Sequence, residues 1–108
     1  MGEKSEQTQV WVAVVEVAPR EGCELLSVNE GAFINFLTLA RSEAEYRAKV
    51  AVALGYYRLE LLEFEEVRPF SLSDGSSEEI VLIAEELERD NNPQHVRYST
   101  FHTFPRVM

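Results

Sequence analysis

The sequence predicts an α+β domain, a two-layer sandwich in which a four-stranded, mainly antiparallel sheet carries two helices in the order ββαβαβ. Three observations carry this. Four segments are rich in β-branched and aromatic residues, the composition of a half-buried pleated surface. Two others repeat apolar residues at helical spacing behind a serine start signal. The chain has 108 residues, 45% of them hydrophobic, enough for one core but not for two domains.

Residues 1–8 are a polar lead-in, and residues 9–108 are the domain. The first strand is QVWVAVVEVA, residues 9–18, stopped by Pro19. A loop over 20–30 follows. The second strand is AFINFLTLA, residues 32–40. Both strands are apolar at both parities. Val10, Val12 and Val14 alternate with Trp11, Ala13, Val15 and Val17; Ile34, Phe36 and Thr38 alternate with Phe33, Asn35, Leu37 and Leu39.

Ser42 and Glu45 have the spacing of a capping box, so a helix is predicted over 43–54 with Tyr46, Val50, Ala53 and Leu54 on its apolar stripe. Gly55 is the expected stop. The third strand, 56–67, changes apolar parity at Leu61–Leu62, which predicts a bulge or a bend there. Residues 71–77 are a loop. A second helix starts at Ser76 or Ser77, carries the stripe Ile80, Ile83, Ala84 and Leu87, and ends at Asn91-Asn92-Pro93. The last strand is 95–104, with Val96, Tyr98, Thr100 and His102 on one side and His95, Arg97, Ser99 and Phe101 on the other.

Two helices on one sheet face leave the other face uncovered. Several of Trp11, Val15, Phe33, Leu37, Phe64 and Phe101 would then be exposed, a patch larger than monomers usually show. A homodimer through that apolar sheet face is therefore expected.

Charge is the most localised feature. Residues 60–90 hold eleven acidic side chains against two arginines, a balance of −9 that equals the formal charge of the whole chain. Basic residues are scattered, which argues against nucleic acid and against an anionic membrane surface. The longest unbroken apolar run, Val10 to Val15, is far short of the ~20 residues of a bilayer helix. A lone Cys23 and a polar start without a signal-peptide pattern point to a cytoplasmic protein.

The acidic segment supplies the candidate partner-binding residues: Glu63, Glu65, Glu66, Asp74, Glu78, Glu85, Glu86 and Glu88. His102, set among aromatics, is the one candidate for catalysis, and Asn35 is either a register device or a ligand contact. His95 and His102, seven apart on one strand, fall on opposite faces about 23 Å apart. They cannot share a metal, and no metal or cofactor is expected.

The run from Ala32 to Phe64, with its strand, Ser-capped helix, glycine and Leu/Glu strand, resembles small uncharacterised bacterial α+β domains of ferredoxin-like appearance. The ending Thr100 to Pro105 adds to the likeness. Some acidic proteins of this build act as immunity or regulatory partners of toxins. The localised acidity itself points to a non-enzymatic interaction module whose acidic residues 60–90 meet a basic protein partner, with toxin neutralisation as one version. The alternative is a small-ligand binder or small enzyme with a pocket near His102.

Overall fold

A computed structural model describes residues 8–26, 30–75, 77–92, 94–99 and 102–105, with the backbone alone at Asp74, Phe104 and Pro105. Its elements are β1 (Gln9–Pro19), β2 (Glu30–Ala40), α1 (Glu43–Tyr56), β3 (Leu59–Pro69), α2 (Glu78–Asp90), β4 (Val96–Tyr98) and β5 (His102–Pro105), with a 3-10 turn at Leu72–Asp74. The class is α+β, as the sequence predicts. The strands lie in the order β3-β1-β2-β4, β5 pairs with β2, and every pairing is antiparallel. The predicted lead-in, up to Gln7, and Ser76 and Phe101 lie outside the described residues.

The helices do not share a face, as a ferredoxin-like two-layer sandwich requires. Tyr46, Val50 and Leu54 of α1 pack with Ala13, Val15 and Val17 of β1 and with Ala32, Ile34 and Phe36 of β2. Ile80, Ile83, Ala84 and Leu87 of α2 pack with Val10, Val12, Leu37 and Leu39. These strand positions have opposite parity, so the helices cover opposite faces. The connectivity gives the reason. β3 pairs with the far edge of β1, so α1 must cross over β1 to reach it. The return to β4 must cross β1 and β2 again, over the face that α1 leaves free. The two-sided apolar strands are thus explained within one chain: Val15 and Leu37, expected among the bare residues, are both fully buried.

The α1 start is as predicted. The Ser42 hydroxyl accepts from the Glu45 N–H at 3.2 Å, and the Glu45 carboxylate accepts from the Arg41 N–H at 2.6 Å. That second bond, the first of several causes, holds the Glu45 carboxyl below its usual value. A depressed carboxyl contributes stability above its unfolded pKa and loses it as pH falls through the folded one. Glu45→Gln should therefore flatten the fall in thermal midpoint below about pH 5. An unchanged acid limb would contradict the bond's role.

Gly55 is not the stop. The helix runs through it to Tyr56, and the left-handed turn falls at Arg58, with φ 60°. A Cβ at Gly55 would meet nothing within 4 Å. Gly55→Ala should therefore stabilise the protein by about 0.5–1 kcal/mol, since glycine inside a helix loses more backbone freedom than alanine. Urea denaturation measures this, and a loss of stability would mean that Gly55 terminates the helix after all.

β3 carries the predicted bulge. Glu16 pairs with Glu63 but Val17 with Leu61, leaving Leu62 as the extra residue. A second shift lies between Glu65 and Arg68, where Glu66 takes φ 57°. α2 starts at Ser77, whose hydroxyl accepts from the Ile80 N–H at 3.4 Å, and stops at Asn91 in the left-handed conformation.

The last strand is two strands. Phe36 pairs with Tyr98 and Phe33 with His102, a step of four residues on this side against three on β2. Within the gap the Asn35 carbonyl accepts from the Ser99 N–H at 3.0 Å, and the Asn35 amide donates to the Ser99 hydroxyl at 3.3 Å. The extra residue shifts the alternation. His102 therefore falls on the same face as Arg97, not on the opposite one as unbroken alternation requires.

Candidate functional site

Helix α2 covers only one end of its sheet face. Read through the strand register, that face is a set of cross-strand rows. Val10–Leu39 and Val12–Leu37 lie under the helix. Arg68 and Arg97 flank the second of these rows, opposite Val12 and Leu37. The next row is Glu65–Val14–Asn35, and the one beyond is Glu63–Glu16–Phe33–His102. These last two rows form the open half of the face. Val14, Glu16, Phe33 and Asn35 are half-buried there, and Glu63, Glu65 and His102 are exposed.

Residues on one face of paired strands stand about 5 Å apart, and the glutamates use that proximity. Carboxylate oxygens of Glu16, Glu63 and Glu65 lie within 4.8 Å of one another. Among the described residues none of the three has an ion-pair partner. The nearest cations by register are engaged elsewhere. The Arg97 guanidinium is 2.8 Å from the Glu86 carboxylate. Arg68 donates to the Glu66 carbonyl at 3.0 Å and lies 3.8 Å from its carboxylate. Glu16 and Glu63 are directly opposite, a pairing of like charges that disfavours the sheet. Oxygen clusters of this spacing also suit hard cations, but exposed carboxylates gather as closely without one, so the spacing alone assigns no metal.

The sequence-predicted residues divide. Glu63, Glu65, Asn35 and His102 come together on the open half-face. Glu78 and Glu85, seven apart on α2, lie opposite its buried stripe and face solvent with Glu88. Glu86 is tied to Arg97, and Glu66 sits in the bulge beside Arg68. Asp74 closes the 3-10 turn. The acidic segment therefore forms two surfaces, the outer side of α2 and the flank of β3, rather than one. Glu16 is absent from the residues the sequence singles out. Its signal is present, since it is the one charged residue between Val10 and Ala18.

His102 stands exposed at the end of the Glu63–Glu16–Phe33 row. His95 precedes β4, its ring 3.3 Å from the Asn92 amide and 3.9 Å from the Asp90 carboxylate. An apolar cleft of about 370 Å³ lies on the other side of the sheet, between α1 and β4, against Val52, Tyr56, Tyr57 and Val96. Among the described residues no helix is long and apolar enough to cross a membrane. Comparisons with protein-family models, with curated proteins and with solved structures find no match.

Proposed function

We propose that the protein is a non-enzymatic binding module that takes a basic segment of a partner protein on the open half of its α2 face. The observation behind this reading is the Glu16–Glu63–Glu65 cluster, three carboxylates held together by strand register with no cation among the described residues to balance them. A lysine or arginine from outside would relieve the repulsion that the fold itself leaves in place. Phe33 and Val14 offer apolar surface for the stem of that side chain, and Asn35 a polar edge. Complementary charge would speed encounter and make the complex salt-sensitive. Masking a basic protein's own working surface, as immunity proteins do, is one use for such a face.

The test is retention of a basic partner from lysate of the native host. Immobilised protein is expected to hold it at low salt and release it at high salt, and E16Q/E63Q/E65Q to hold none. Equal retention by that variant would overturn the assignment of the face.

A further inference from the structure

Two turns meet where β1 runs into its loop and α1 turns into β3. The Arg20 N–H donates to the Arg58 carbonyl at 2.8 Å and ties them together. Arg20, Gly22, Tyr56 and Arg58 line one open cleft of about 900 Å³, and Glu21 and Glu24 also border it. The cleft lies just past the Pro19–Leu59 end of the β1–β3 pair, a few residues beyond the acidic half-face, and uses none of the residues proposed there.

Arg58 is oddly placed for an arginine. Its φ of 60° is the left-handed conformation that follows many helices, and glycine adopts it without the steric penalty of a side chain. The chain instead puts its glycine at 22, with φ 87°. A Cβ there would stand 3.1 Å from Cδ of Arg58, 3.4 Å from Nε and 3.5 Å from Nη1. The Arg58 side chain therefore lies across bare backbone at Gly22, in space that any other residue would fill. Among the described residues neither Arg20 nor Arg58 is in an ion pair, although two glutamates border the same cleft. Beside them Tyr56 is 81% exposed. Its ring packs edge-on against Tyr57 at 5.3 Å, and Tyr57 packs against Tyr98 at 5.5 Å. An exposed ring is thus braced from behind, next to two guanidinium groups that form no ion pair among the described residues.

We infer that this cleft binds a small aromatic monocarboxylate. The guanidinium forks of Arg20 and Arg58 take the carboxylate oxygens, a geometry that planar donors match bidentately. The Tyr56 ring takes the aromatic part in an offset or edge contact. Glu21 and Glu24 offset the charge of the two arginines, so the cleft has no excess positive charge for the second negative charge of a phosphate monoester.

The experiment is an NMR titration of the arginine Nε–Hε signals of the full chain with benzoate, phenyl phosphate and benzyl alcohol at millimolar concentration. Benzoate is expected to move the Arg20 and Arg58 signals saturably, more tightly than phenyl phosphate, with benzyl alcohol inert. Arg20→Gln should weaken benzoate by about tenfold or more, as loss of a charge-assisted bond does. Arg58→Gly should weaken it similarly while raising the thermal midpoint, because glycine suits that φ. Arg58→Lys keeps the charge without the fork and should also bind less tightly. Absence of a saturable response to benzoate would overturn the proposal. So would an Arg58→Gly protein that melts lower but still binds, since Arg58 would then only pin the loop. Tighter phenyl phosphate binding would overturn the carboxylate assignment.

Discussion

Tyr46→Ala should cost about 3–5 kcal/mol, the range for removing a large buried ring, against a total stability of about 5–15 kcal/mol for a domain of this kind. Tyr46 is fully buried in the α1-side core, its ring 6.1 Å from that of Phe64, and its hydroxyl donates to the Phe36 carbonyl at 2.7 Å. One residue thus fastens α1 to β2 by packing and by a hydrogen bond. Tyr46→Phe keeps the packing and removes this hydrogen bond, so it should cost about 0.5–1.5 kcal/mol. Burial also pushes the Tyr46 phenol well above its ordinary value of 10.0, against a smaller opposing pull from the Ala13 backbone. The sign follows from linkage. Below about pH 10 the phenol is protonated in both states and its contribution is complete; above that the unfolded chain ionises first and stability falls. Tyr46→Phe should therefore lose less stability than wild type between about pH 10 and 11.5. Denaturant titrations of the three proteins measure all of this. A Tyr46→Ala protein within 1 kcal/mol of wild type, well below the ~3 kcal/mol floor, would show that α1 is not docked as described.

E16Q/E63Q/E65Q should weaken binding of a basic ligand by about tenfold or more. Exposed charge pairs are worth about 0.2–1 kcal/mol each, and three act together here. Its folded state should gain stability, because the like-charge contacts across β1 and β3 disappear. E78Q/E85Q/E88Q removes the same number of charges from the outer side of α2 and is the matched control. It should bind nearly as wild type, with only the general decline that lower net charge brings. If the two variants lose affinity equally, diffuse charge rather than the half-face carries the interaction.

Local features are legible in the sequence and spatial ones less so. The caps at Ser42 and Ser77 and the bulge at Leu62 follow from neighbouring residues, and each stands where its signal lies. The apolar parities of β1 and β2 are equally visible, but they describe two covered faces as well as one covered and one bare. What decides between these is the placement of β3 beside β1, a long-range pairing that leaves no mark on either strand alone. The break between β4 and β5 has a faint local signal, the change of apolar parity from Val96 and Tyr98 to Phe101; beside it Asn35 and Ser99 are bonded across strands. The same limit applies to the site. Proximity in sequence groups Glu63 and Glu65 with the glutamates of α2, whereas register joins them to Glu16, nearly fifty residues away.

The acidic half-face is tested most directly by a ¹⁵N–¹H titration of the folded protein with an oligolysine peptide at low salt. The amides of Glu16, Glu63, Glu65, Phe33 and Asn35 are expected to move first and to saturate, the changes disappearing at high salt and in E16Q/E63Q/E65Q. Shifts concentrated on Glu78, Glu85 and Glu88 of α2, or spread evenly over every acidic residue, would contradict it.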